Sequence, residues 1–237
     1  MKMPDHQKVV ETFNLCRRSK GCNAVEDLSL NIDQGDIFGI IGLNGSGKTT
    51  VIKMLATVIK PSSGSATILG YDLAKNPDKI KSLIGYVPQS LSLNTSLKVH
   101  EYLDFFASAY KIPKKDRKQV VSDIIELFLS AEKDHYIQNL SHGMMQRLSL
   151  ARAIIHDPAL LILDEPAYGL DPKARAEFWE ILKELHNMGK TIIIASNILS
   201  DIANICNKIG IIKDGKLIFN EDRGNLSQDD MFLKLME

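Results

Sequence analysis

Eight residues, Gly42-Leu43-Asn44-Gly45-Ser46-Gly47-Lys48-Thr49, constrain this chain more than any other segment. They follow a short apolar run at 36–42 (DIFGIIG) and lead into a helix-like stretch at 48–59. Strand, glycine-rich turn and helix in that order form a cradle for phosphate. Glycines let the backbone curl until successive N–H groups converge on phosphate oxygens. The helix that starts at the loop adds the positive end of its dipole. In such a loop Lys48 reaches the β- and γ-phosphates, and the Thr49 hydroxyl ligates magnesium, with Thr50 next in line. The spacing GxxxxGK[ST] is met in full, so the expected ligands are ATP and Mg2+.

The segment 160–166 (LLILDEP) reads as an apolar strand ending in two acids. Ligands bind at the carboxyl ends of parallel strands. Asp164 is expected to hold magnesium, directly or through water, and Glu165 to orient or deprotonate an attacking water. Neighbouring side chains on a strand face opposite ways, which would give the two carboxylates different roles.

Residues 8–18 and 24–33 alternate apolar and polar as half-buried strands do. Further strands are expected at 65–69, 83–87 and 191–196, with a helix over 172–188. From 96 to 155 the period changes to that of helices: Val99, Leu103, Phe106 and Tyr110 recur, then Val120, Ile124 and Leu127 past Pro113. Asp214-Gly215 between two short strands signals a hairpin. The tail after Asn220 is polar and carries no pattern. Short apolar strands without alternation predict a parallel sheet buried on both faces.

The 237 residues carry 29 Lys plus Arg and 29 Asp plus Glu. That zero balance argues against a nucleic-acid partner, which would call for a basic excess. No run of about 18 apolar residues is present, and the start MKMPDHQKVV lacks a signal peptide's apolar core. The protein is therefore expected in the cytoplasm, any membrane part being supplied by a separate chain. Three cysteines, with no CxxC pair, read as reduced thiols.

Three further segments carry a resemblance. Tyr86-Val87-Pro88-Gln89 precedes the helical stretch, Leu140-Ser141-His142-Gly143-Met144-Met145-Gln146-Arg147 lies within it, and Ala167-Tyr168-Gly169-Leu170-Asp171-Pro172 follows the acidic pair. With the phosphate loop and the acidic strand, these five motifs stand in the order found in ABC-type ATPases, which the chain resembles over nearly its full length. The resemblance implies an α/β fold: a P-loop NTPase (RecA-like) core with a mainly parallel sheet, an N-terminal antiparallel β subdomain and an inserted α-helical subdomain. One nucleotide-binding domain would span 1–237, with the core at 8–95 and 156–222 and the helical signature subdomain at 96–155. It also implies that Gln89 contacts magnesium and the attacking water. Ser141, His142 and Gly143, with Asp171, would meet the nucleotide of a second, identical or different cassette. A head-to-tail dimer would then dock on an integral membrane permease at the inner face of the membrane. Leu91, Leu93 and Phe105 are candidates for that docking surface or for core packing. YDLAKNPDKIKSLIGYVPQ and ASAYKIP look most like the exporter branch of sodium and drug efflux ATPases.

Three positions depart from the family pattern. Asn197 follows the strand TIIIAS where a γ-phosphate-contacting His is usual; Asn can donate a hydrogen bond but is shorter and uncharged. Ser19 stands near the place of an adenine-stacking aromatic, leaving Arg18 or Val25 to pack on the base. His142 replaces a signature glycine, keeping the backbone N–H and adding a side chain that could reach the phosphates. Two other readings stay open: a nucleotide-gated regulatory module with weak ATPase activity, and a soluble ABC ATPase outside transport. Long coiled coils or tandem cassettes would mark the latter, and this chain has neither.

Overall fold

The computed structural model describes residues 7–19, 22–222, 224 and 228–236. A six-stranded sheet runs β11(Lys216–Asp222), β10(Lys208–Lys213), β4(Ile37–Ile41), β9(Thr191–Ser196), β8(Leu160–Asp164), β7(Ile84–Val87). Every neighbouring pair is parallel except the β10–β11 hairpin. A five-stranded antiparallel sheet combines β1(Lys8–Ser19), β2(Cys22–Leu28), β3(Asn31–Asp33), β5(Ser63–Ile68) and β6(Tyr71–Asp72).

The helices are α1(Lys48–Leu55), α2(Pro77–Lys81), α3(Val99–Ala109), α4(Lys114–Leu129), α5(His142–Ile154), α6(Pro172–Asn187), α7(Leu199–Ile205) and α8(Gln228–Met236). Pro113 ends the turn after α3 and is the N-cap of α4. Its ring cannot donate an N–H, which costs nothing at a helix start.

The parallel sheet is buried on both faces, as its unbroken apolar strands require. Ile37, Ile41, Leu161, Leu163, Ile192 and Ile194 pack with residues of α3–α6. The alternate residues Phe38, Ile40, Leu160, Ile162 and Ile193 face the other way, toward α1 and the antiparallel sheet.

The structure departs from the sequence expectations, or adds to them, in several places. The segment 24–33 is two strands, because β2 and β3 pair with different stretches of β1. The first helix stops at Leu55, and Thr57 turns the chain with φ 58°. The segment Leu199–Ile205 forms a helix. The polar tail also contains a helix, α8, whose Met231 and Leu235 are buried against the core, so packed structure continues past residue 222.

Of the three docking candidates, Leu93 packs against the core, Leu91 is half-buried and Phe105 is exposed. Among the described residues no helix is long and apolar enough to cross a membrane.

Helix α5 sits tightly on β7. A Cβ at Gly85 would lie 2.4 Å from the Ala153 carbonyl oxygen, a backbone atom that cannot step aside cheaply. Gly85→Ala should therefore destabilise the fold by about 1–3 kcal/mol. Thermal denaturation checks this; an unchanged melting temperature would contradict the packing described.

Candidate functional site

The sheet register decides where the site lies. Ile41 pairs with Ser196, Asp164 with Ala195, and Val87 with Leu163. Four parallel strands thus end level, and the segments following them meet at one edge. One cleft there is lined by Gly45, Gly47, Lys48, Thr49 and Thr50 of the loop after β4, with Gln89, Glu165 and Asn197.

The phosphate loop has the curl its glycines promise. Gly47, the N-cap of α1, has φ 109°, and a Cβ there would meet the Ala24 carbonyl oxygen at 2.5 Å. Any larger residue would be strained and would also collide. Lys48 is 5% exposed, and its ammonium donates to the carbonyl oxygens of Gly42 (2.8 Å) and Leu43 (3.2 Å). It also lies 3.5 Å from Glu165 Oε1. A buried ammonium needs such partners.

Thr49 Oγ1 donates to Asp164 Oδ1 at 3.1 Å. Asp164 Oδ2 is buried with no hydrogen-bond partner. A hydroxyl oxygen beside a buried, unpartnered carboxylate oxygen suits a hard divalent cation that draws its other ligands from phosphate and water. Burial raises the Asp164 carboxyl above its ordinary pKa, against the Thr49 bond and the charges of Lys53 and Lys48.

The two acids differ in environment, but not by facing opposite ways along a strand. Strand β8 ends at Asp164, and Glu165 turns out of it with a left-handed backbone, φ 48°. This conformation costs a non-glycine residue roughly 1–2 kcal/mol. Strand β9 holds the turn: Glu165 N–H donates to the Ala195 carbonyl (2.9 Å), and Glu165 Oε2 accepts from Asn197 N–H (3.2 Å). Burial raises the Glu165 carboxyl, opposed by the Asn197 N–H and by Lys48. The Asn197 amide donates to Asn44 Oδ1 at 3.1 Å, tying β9 to the phosphate loop.

Ser141, His142, Gly143 and Asp171 do not line this cleft. Ser141 caps α5, its hydroxyl accepting from Met144 N–H at 3.2 Å. Asp171 caps α6, accepting from the N–H groups of Lys173 and Ala174, each at 3.0 Å. His142 does not turn toward the phosphate loop; its Nε2 lies 3.2 Å from the Tyr168 carbonyl oxygen.

Val25 is wholly buried and cannot stack on a base, whereas its neighbour Ala24 lines the cleft. The side chain of Ser19 falls outside the described residues. Tyr168, 61% exposed, also lines the cleft, a role the sequence reading did not give it. Its signal was present: a large aromatic three residues past the acidic pair, in a loop of small residues.

Residues 25–168 match the family described as ABC transporter. The chain belongs to this family. It is 35% identical over 227 residues to an uncharacterised ABC transporter ATP-binding protein of Synechocystis, covering 92% of this chain and 64% of that protein. It is 32% identical over 220 residues to the daunorubicin/doxorubicin resistance ATP-binding protein DrrA of Streptomyces peucetius, covering 92% of this chain and 67% of that one. A solved ATP-binding subunit of an ABC transporter superposes with a TM-score of 0.85 at 27% identity, covering 97% of this chain and all of the other. The chain thus spans less than two-thirds of the Synechocystis relative and about two-thirds of DrrA.

The Asn197–Asn44 bond predicts that Asn197→Ala weakens nucleotide binding by loosening the loop, while Glu165 keeps its backbone donor. ATP titration should show a loss of about three- to tenfold, the worth of one side-chain hydrogen bond. Unchanged affinity would mean the bond does not hold the loop.

Proposed function

We propose that this chain hydrolyses ATP as the nucleotide-binding subunit of an ABC transporter, driving a separate membrane subunit. The observation that carries the reading is the gathering of the phosphate loop, Asp164 and Glu165 at one level sheet edge, with Thr49 bonded to Asp164. Family membership supports transport, and the drug-resistance name of the Streptomyces relative favours export.

In this reading the loop N–H groups and Lys48 take the phosphates, and Lys48 exchanges its carbonyl partners for phosphate oxygens. Thr49 and Asp164 would hold magnesium, with Gln89 at the rim; the ion supplies positive charge to the β- and γ-phosphates. Glu165, held by Asn197 N–H, accepts the proton of the attacking water. Asn197 acts through that backbone donor, and its amide braces the loop.

Ser141, His142, Gly143 and Asp171 lie off this chain's own cleft, which suits a role at the nucleotide of a second cassette. ATP shared between two such surfaces would bind a symmetric dimer together, and hydrolysis would release it. The protein would work at the cytoplasmic face of a membrane through its permease partner.

Glu165→Gln should lower turnover by a factor of about 100 or more and leave an ATP-dependent dimer on a sizing column. Wild-type turnover in that variant would overturn the catalytic assignment. A base must be ionised, and burial raises the Glu165 carboxyl. The rate should therefore fall, as pH drops, at a higher pH than an ordinary carboxylate of pKa about 4.3 would give. A second reading, a slow regulatory site, is favoured by the engagement of the Asn197 amide with Asn44. It requires near-background turnover in the wild type and recovery in Asn197→His.

A further inference from the structure

The loop 165–171 joins the end of β8 to α6, with Glu165 at one end and Asp171, the cap of α6, at the other. Its internal backbone bonds are Tyr168 N–H to the Glu165 carbonyl (3.1 Å) and Leu170 N–H to the Ala167 carbonyl (3.3 Å). The Tyr168 carbonyl at its midpoint is met from outside, by His142 Nε2 at 3.2 Å. A carbonyl only accepts, so Nε2 carries the proton in this contact.

The ring also packs against the loop: a Cβ built on Gly169, which has φ 73°, would lie 3.5 Å from His142 Nε2. Beside it, a Cβ on Gly143 would come within 3.0 Å of the Ala174 Cβ, so the start of α5 is seated directly on the start of α6. A glycine at 142 would offer no side-chain donor here.

We propose that His142 is a positioning residue for ATP hydrolysis: its Nε2–H clamps the midpoint of the loop that carries Glu165, tying α5 to the catalytic carboxylate of the same chain. This rests on the reading of Glu165 as the base. Freed of the clamp, the loop would sample more conformations, and Glu165, already in a left-handed turn, would spend less time aligned. This chain's own cleft is lined by other residues.

The test compares His142→Phe, a ring without a donor, with His142→Gln, whose amide N–H has similar reach. Steady-state ATPase kinetics are read beside backbone hydrogen exchange over residues 166–170 of the nucleotide-free protein. His142→Phe should lower kcat about fivefold, the worth of one hydrogen bond, with faster exchange in the loop. His142→Gly, which demands no space, should match it. His142→Gln should recover both readouts.

If the Phe variant keeps wild-type kcat and exchange, or the Gln variant fails as the Phe variant does, the hydrogen-bond clamp is wrong. Faster exchange with unchanged kcat would overturn its link to catalysis. Exchange needs no turnover, so the clamp is tested even if Glu165→Gln shows the base assignment to be mistaken.

Discussion

A buried ammonium sets the terms for the rest of the site. Lys48 is 5% exposed and is held by two loop carbonyls with Glu165 Oε1 3.5 Å away. Stranding such a charge would cost several kcal/mol. The loop must therefore curl back to bring its carbonyls to Nζ, and the acidic strand must end beside it. The same curl leaves Gly45, Gly47, Lys48 and Thr49 lining the cleft. A chain that holds its own lysine this way also presents a set of donors to a polyphosphate.

The sheet makes that juxtaposition reproducible. Central strands buried on both faces cannot slip register without sending charged ends into the core. Level pairing of Ile41 with Ser196 and Asp164 with Ala195 then fixes Lys48, Glu165 and Asn197 relative to one another. The side chains depend on backbone anchors more than on each other. Glu165 is oriented by two peptide groups of the β9 segment, the Ala195 carbonyl and the Asn197 N–H. The N–H that holds the carboxylate is a backbone group, which any residue but proline would supply at 197.

Much of this was legible in the sequence, because phosphate chemistry is local. The phosphate loop, the acidic pair and the cap at Ser141 are each defined within a few consecutive residues. The two faces of the sheet were legible too, since IFGII, LLILD and TIIIAS leave no polar face. What escaped depends on residues far apart in the chain. Glu165 leaves the strand because β9 offers it partners. His142 bonds a carbonyl 26 residues away, and Tyr168 reaches the cleft because the loop folds back toward it. Helix α8 escaped because, among its described side chains, Met231 and Leu235 are the buried ones and set no period against the polar residues around them.

The central claim is that the cleft recognises a nucleotide through its phosphates. Calorimetric titration of the wild-type protein with the β,γ-imido analogue of ATP, with ADP and with AMP tests it most directly. Binding should strengthen with phosphate number, and AMP should bind more weakly than the triphosphate by a factor of about 100 or more, as loss of several charge-assisted hydrogen bonds implies. Equal affinity for AMP and the triphosphate analogue would place recognition on the nucleoside and contradict the account.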